Sequence, residues 1–404
     1  MKQKALLIIG AGPFSDRSII WAKECGFVAI VVDKNDQASS LKFADVHIRC
    51  NGTNIRYIIN WMKKNQNYAI VRAFGGNDFA VPTVFAINDY LAKKKRSHKH
   101  YQKLIDKVFI KRKLLRAGIP TPTYSLVETK TQAKQVVEKF GYPVIVKPNN
   151  LSGSVGVVKV SSVKDWNLID FDRYPQSKWL LEPYVNGSHH DVNGLVIEAR
   201  FYPCGISDRF FSTTQTDFVD KSARLPICGI SPTTVTTQVQ AKMYKILSAA
   251  AKVLEFNQTP IKGDFILNKK TEPVLIEITP RFHGEIESAY ILPDSTGINP
   301  IYAHHAYFFG ISNWQSYLNP KKTPSICAWR ALLPNPKKKS ILPTMINQLA
   351  KKNGIIKIIA RSASRVRLYE NNSEIPAFIV ISVLKRTDVK KLFLEIEKME
   401  VDSK

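Results

Sequence analysis

The sequence predicts an α/β protein: an N-terminal parallel α/β domain, then an α+β unit, then a small α+β cap. Three observations lead there. Apolar strands alternate with helical stretches from the first residues onward, the order that builds parallel βαβ units. Further along, short strands are joined by small-residue and polar turns, as in hairpins. The 404 residues, 44% of them hydrophobic, supply more core than one domain usually needs. The expected divisions are 1–103, 104–320 and 321–404, with a small lid subdomain at about 120–185.

Residues 4–10 (KALLIIG) read as a buried strand, closed by the turn Gly10-Ala11-Gly12-Pro13. A helical pattern runs from about Ser15 to Cys25, and a second apolar strand, 27–32, ends at Asp33. Residues 54–91 add a helix, a strand at 69–74, a Gly75-Gly76 turn and another helix. A basic segment, 92–103, leads into a helix around Lys107, Lys111 and Leu115 that Gly118 stops. Ile119-Pro120-Thr121-Pro122 must be extended, because residues before proline avoid the helical region. A helix at 131–140, a strand at 143–147, a small-residue loop at 149–156 and a strand at 157–160 follow. The tail, 325–400, alternates short apolar strands with one amphipathic helix near 341–352.

Composition removes several function classes. No apolar run reaches the roughly 18 residues of a membrane span, so no membrane partner is expected. The basic, apolar N-terminus lacks a small-residue cleavage site and reads as a strand, not an export signal. Five scattered cysteines without CxxC spacing fit reduced thiols in a cytoplasmic protein and no zinc site. The net charge of +26 raises the question of nucleic acid. The basic residues are spread along the chain, with small clusters at 93–96, 321–322 and 337–339. A solvated surface is the simpler account, and a nucleic-acid partner is not expected.

Four elements carry chemistry, each with a plainer alternative. Lys147 ends an apolar strand, PVIVKP; it is either a phosphate-holding cation or a lysine emerging at a strand end. The loop Ser152-Gly153-Ser154-Val155-Gly156 admits close approach of backbone N–H groups to phosphate, or is an ordinary hairpin turn. Glu182-Pro183-Tyr184-Val185 closes an apolar strand where main-chain groups could read an adenine edge, or merely ends the strand. Asp264 and Glu277 lie in two otherwise apolar strands joined by a polar turn at 268–272. As cross-strand neighbours they would repel unless something positive lay between them, a need that magnesium meets. Alternatively both acids emerge at opposite strand edges. Arg281, four residues on, could reach the same phosphate.

The order of these pieces resembles the ATP-grasp superfamily, whose members include biotin carboxylase, carbamoyl-phosphate synthetase and D-alanine–D-alanine ligase. The matching pieces are Lys107 before GIPTP, then PVIVKP, SGSVG, LLEPYVNG, GDFIL and IEITPRFHG, and the resemblance spans roughly residues 1–400. It implies a pre-ATP-grasp N-terminal domain, an ATP-grasp fold and a cap of biotin-carboxylase style. It implies ATP with Mg2+ (Mn2+ an alternative) and a ligase that makes an acyl phosphate and joins it to an amine. Lys107 and Lys147 would hold phosphates, residues 152–156 (Ser152, Gly153, Ser154 and Gly156 among them) would close over them, and Glu182 to Val185 would meet adenine. Asp264 and Glu277 would hold magnesium, and Arg281 with Lys147 would act on the transferred phosphoryl group. Two positions depart from the family's pattern. Thr279 stands where Asn is common, and the ribose contact falls to His189 or Asp191.

Small carboxylate and amine substrates are the implied partners, and a homodimer is compatible with the resemblance. Arg200, Arg209, Lys221 and Arg224 are the candidates for a basic acceptor pocket. Three other readings remain at this stage: an inactive nucleotide-binding protein, a nucleic-acid binder, and an NAD-dependent oxidoreductase using Gly10, Gly12 and Asp33.

Overall fold

The computed structural model describes residues 2–175, 177–212, 218–220, 224–284, 286–321, 323–337, 341–361 and 368–401. Its first unit is a parallel sheet of β1 (Gln3–Ile9), β2 (Val28–Asp33), β3 (Val46–Arg49) and β4 (Tyr68–Phe74), ordered β3-β2-β1-β4. Residues 5–9 of β1 are buried throughout, as a parallel strand covered on both faces requires. Gly10 leaves β1 at φ +100°, and the Asp33 carboxylate accepts from the backbone N–H groups of Ala11 (2.8 Å) and Asn35 (2.9 Å). The acid of the dinucleotide-like pattern therefore braces its own turn, and the glycine turn faces a shared cavity described below.

The second unit is an antiparallel sheet of β5 (Ser125–Val127), β6 (Val144–Pro148), β7 (Val158–Val160) and β8 (Trp179–Pro183), ordered β5-β8-β6-β7. Helix Lys130–Phe140 starts at Thr129, whose side chain accepts from the Gln132 N–H, and stops at Gly141 with φ +74°. Its apolar face joins Val137, Val144 and Val146 around fully buried Trp166. These strands lie within 120–185, and the loop at 149–156 is the β6–β7 hairpin connection.

The third unit is one eight-stranded antiparallel sheet. Its strands are β9 (Gly187–Ile197), β10 (Arg200–Phe211), β11 (Pro226–Ser231), β12 (Thr259–Asn268), β13 (Pro273–Thr279), β14 (Ile326–Leu332), β15 (Ile355–Ala360) and β16 (Ala377–Val383). The order is β13-β12-β9-β10-β11-β14-β16-β15. Helix Thr237–Val253 covers one face through Met243, Leu247, Ala250 and Ala251.

Two features differ from expectation. A division near 321 would cut through one sheet, since β14 pairs with β11 at Cys228↔Arg330 and the cap strands continue the central sheet. The tail also holds a second helix, Arg386–Val401. It buries Val389, Leu392 and Ile396, a 3–4 spacing masked by the lysines and acids between them. Its Glu400 makes a two-pronged contact with Arg330, 2.9 Å at each nitrogen, pinning the helix to β14.

Candidate active site

All three units contribute to one cavity of about 550 Å³. The first unit supplies residues 12–15 and 76–79, the small subdomain Lys147 and 151–155, and the central sheet Arg209, Lys262, Asp264, Glu277 and Arg281. A cavity of this size suits a small ligand.

One wall is built on Glu182. Its carboxylate takes Lys111 at 2.9 Å and Lys147 at 3.1 Å, and all three side chains are buried. Burial opposes the Glu182 charge, but the ammonium groups of Lys147 and Lys111 outweigh it and hold the carboxyl below its ordinary pKa. Lys147 is thus neither free nor simply emerging from the strand. A net single positive charge remains, and it faces the cavity beside Lys107, whose ammonium donates to the Leu151 carbonyl at 2.5 Å. Lys111 lies one helical turn after Lys107 on helix Lys107–Arg116, which makes both point the same way.

The opposite wall is the β12–β13 hairpin. Asp264 and Glu277 are direct cross-strand partners, next to a bulge that aims both toward the cavity. The sequence reading puts only a divalent cation between them. The structure puts Lys262 there, its ammonium 3.1 Å from both oxygens of Asp264 and 3.5 Å from Glu277. Residues two apart in a strand share a face, so the Lys262–Asp264 spacing is the signal for it. Burial works against both acids. Lys262, followed by His283, nevertheless carries Asp264 well below the usual carboxylate range, and Lys262 with Lys107 lowers Glu277.

Behind Asp264 stands a chain of buried polar groups. His283 Nε2 lies 2.8 Å from Asp264 and 3.3 Å from Asp191, while Arg209 approaches its Nδ1 at 3.0 Å and also pairs with Asp191. A guanidinium only donates, so Nδ1 accepts and Nε2 carries the proton toward Asp264. Burial lowers the His283 pKa, in keeping with a neutral ring. Asp191, Asp264 and His283 bring donor atoms within 4.8 Å of one another. Arg281 is anchored from the first unit: Asp78 Oδ1 accepts from its Nε at 2.6 Å, and the Phe282 carbonyl accepts from Nη1 at 2.8 Å. Asp78 follows the Gly75-Gly76 turn after β4, so the N-terminal unit completes this wall.

The sequence profile of the ATP-grasp domain matches residues 104–285. Residues 104–285 are an ATP-grasp domain. D-alanine–D-alanine ligase of Polaromonas sp. (strain JS666) is 28% identical over 193 residues, covering 43% of this chain and 53% of that enzyme. The same enzyme of Thermoanaerobacter sp. (strain X514) is 42% identical over 66 residues, 15% of this chain and 18% of the other. The chain thus spans about half, or less, of the length of the curated relatives it matches. Among solved structures, L-amino acid ligase from Bacillus licheniformis aligns with a TM-score of 0.77 at 16% identity, over 99% of this chain and 98% of that one. N5-carboxyaminoimidazole ribonucleotide synthetase in complex with ADP aligns at 0.75 and 15%, over 99% and 98%. At these identities the structural likeness bears on the fold.

Within the ATP-grasp frame, most of the expected residues meet at the cavity. Lys107, Lys147, Ser152, Gly153, Ser154, Glu182, Pro183, Tyr184, Val185, His189, Asp264, Glu277 and Arg281 all line it, whereas Thr279 lines an adjoining pocket that shares Glu277. Gly153 and Ser154 have φ of +69° and +64°, so the loop turns through the left-handed region at two successive residues. Gly156 lies off the cavity. A Cβ there would meet Tyr174 at 2.8 Å and Pro148 at 2.9 Å, so its role is close packing under the loop. Asp191 is buried behind the wall on Arg209 and His283, which leaves His189 as the cavity-facing candidate of that pair. Burial and then Arg224 push the His189 pKa down to about 4, so it is neutral near pH 7. Arg209 and Arg224 reach the cavity; Arg200 is exposed beyond the β9–β10 turn, and Lys221 lies outside the described residues. Sequence reasoning missed Asp78, Lys111, Lys262 and His283. The donors present fit a hard divalent cation, because two hairpin carboxylates open to the cavity with exposures of 30% and 29%.

Proposed function

We propose that this protein is an ATP- and Mg2+-dependent ligase that activates a carboxylate as an acyl phosphate and joins it to an amine, releasing ADP and phosphate. One observation carries the reading: an acid pair, Asp264 and Glu277, faces the same cavity as Lys107, Lys147 and the turn at 152–154. Electrostatic alignment is what phosphoryl transfer asks of a protein, and no nucleophilic side chain is required. Lys107 and Lys147 would neutralise phosphate oxygens, and the backbone N–H groups at 152–154 would cradle them. The adenine would lie against residues 182–185, with His189 toward the ribose. Asp264 and Glu277, with Thr279 near by, would hold Mg2+, which supplies charge neutralisation at the transferring phosphoryl group when bound. Mn2+ would serve through the same oxygens.

Lys262 stands between the two acids and Arg281 lines the same cavity, so charge that builds on the transferring group would meet them. Asp78 keeps the Arg281 fork pointed, and His283 keeps Asp264 turned toward the cavity. The family and the D-alanine–D-alanine ligase relatives support an ATP-dependent ligase that forms a C–N bond. Among the described residues no helix is long and apolar enough to cross a membrane. The five cysteines are free thiols, which suits a cytoplasmic setting where ATP is at hand.

The test is ADP formation across a grid of carboxylates and amines. The reading requires ADP release that depends on both partners and on Mg2+. A clear thermal stabilisation by Mg-ATP with no turnover in any pair would favour the inactive nucleotide-binding alternative. Stabilisation by NAD alone would overturn both.

A further inference from the structure

The cations of the cavity separate by partner. Lys147, Arg209, Lys262 and Arg281 are each tied to a carboxylate. Three have no carboxylate partner among the described residues: Lys107, Arg224 and Arg361. Lys107 belongs to the phosphate wall. Arg224 lies over the Tyr184 ring, 5.7 Å from its centroid, and so sits beside the segment assigned to adenine. Arg361 stands apart from both groups, at the end of β15 in the cap.

Its surroundings are apolar and are drawn from two units. The guanidinium is 5.8 Å from the ring centroids of both Phe14 and Phe378. Phe14 and Phe378 pack edge to face at 5.4 Å, and Trp329 meets Phe378 at 5.9 Å. Phe14, Trp329, Phe378 and Arg361 all line the cavity. One guanidinium nitrogen donates to the Asn372 carbonyl at 3.0 Å, which fixes the plane of the fork. The Asn372 N–H in turn donates to the Gly153 carbonyl at 3.2 Å, so the fork sits next to the phosphate-binding turn. Burial lowers the Arg361 pKa, and among the described residues no acid opposes that effect. A partly buried, oriented cation that meets no carboxylate among the described residues, walled by aromatic rings, suits an anionic ligand.

We propose that Arg361 binds the spectator carboxylate of the amine substrate, and that the rings of Phe14, Phe378 and Trp329 receive that substrate's apolar side chain, so the acceptor is an apolar amino acid. This rests on the ligase reading above. A single planar fork matches a carboxylate monoanion. A phosphate monoester, with nearly two charges, would call for more cations than this wall supplies. With its carboxylate held at Arg361 beside Gly153, the acceptor's amine points into the cavity toward the acyl phosphate. The amine attacks the acyl carbon. The C–N bond forms, the C–O bond to phosphate breaks, and the N–H proton leaves with the phosphate as hydrogen phosphate.

The experiment is calorimetric titration of the full chain, loaded with Mg2+ and a non-hydrolysable ATP analogue. The probes are phenylalanine and leucine in both hands, 2-phenylethylamine, and O-phosphoethanolamine. At least one amino acid should bind, and 2-phenylethylamine, which lacks only the carboxylate, should bind roughly ten- to hundredfold more weakly, the range for one charged hydrogen bond. In Arg361→Met that discrimination should collapse, and Arg361→Lys should restore part of it. A merely structural role for Arg361 would weaken both probes together and leave their ratio unchanged, which would overturn the inference. So would equal binding of phenylalanine and 2-phenylethylamine, or no binding by any amino acid. Preference for O-phosphoethanolamine with ATP turnover would overturn this inference and leave the ligase reading standing. Carboxylate-dependent binding without turnover in any pair would uphold the Arg361 site and remove the ligase reading.

Discussion

Replacing Lys262 with Met tests the electrostatics of the acid hairpin directly. The side chain is 5% exposed, and its ammonium is 3.1 Å from Asp264 and 3.5 Å from Glu277. Methionine keeps the length and removes the charge, leaving two carboxylates opposed across β12 and β13. Breaking a buried pair by removing one partner costs about 3–5 kcal/mol. The acids open partly to the cavity, and His283 Nε2 still lies 2.8 Å from Asp264, so the low end, about 3 kcal/mol, is expected without ligand. The same variant should respond more strongly to Mg2+ than the wild type, because a divalent cation becomes the only charge able to reconcile the two acids. At a hundredfold excess over its dissociation constant, a ligand adds about 2.7 kcal/mol. Mg2+ should therefore return most of the lost stability in the variant and much less in the wild type. Urea unfolding of both proteins, with and without Mg2+ and with no nucleotide, measures this. Unchanged stability in Lys262→Met, or equal Mg2+ stabilisation of both proteins, would refute the assignment of Lys262 as the charge between the acids.

Three other predictions follow from the same contacts. Glu277→Gln should slow ADP formation by a factor on the order of 10², through loss of a charge that would hold Mg2+. It should also lower unliganded stability slightly, because the folded pKa of Glu277 is depressed: its ionised form contributes stability above the unfolded value of 4.5 that is lost as pH falls through the folded one. Normal turnover in that variant would remove Glu277 from the site. Asp78→Asn keeps the shape but frees the Arg281 fork, so kcat should drop roughly ten- to hundredfold, as for other outer-shell partners, and Asp78→Glu should recover part of it. Glu287 is pushed up to about 8 by burial and by Asp191, and its oxygens accept from Ser207 and Trp329. Between about pH 4.5 and 8 the folded chain holds a proton that the unfolded chain has released, so stability falls as pH rises; Glu287→Gln should flatten that slope in a chemical-denaturation series.

What the sequence reveals and what it hides follow from range of contact. Hairpin geometry is local: the polar turn at 268–272 brings Asp264 and Glu277 near each other, but its register, Phe265↔Leu275, would set Asp264 opposite Ile276, and only the bulge after Asp264, which spacing does not mark, makes Glu277 its partner. The order of small-residue loop, strand-end lysine and apolar strands is equally local. Asp78 is different. It reaches Arg281 across 203 positions, and nothing in its own segment, GGNDFA, marks it as an anchor for a distant guanidinium. Lys111 and Lys262 are hidden for another reason. Among 59 basic residues each reads as one more surface charge, and only burial, at 3% and 5% exposed, separates them from the rest. The high net charge thus works against sequence reading where it matters most. A surface lysine and one neutralising a buried acid look alike until the acid is located in space. Arg361 shows the converse. It follows a short apolar strand, and neither that strand nor its charge sets it apart. It stands out only after every other cavity cation has been assigned an acid or a place in the nucleotide wall, which is why a search for substrate specificity in this chain begins from charge left over in the fold.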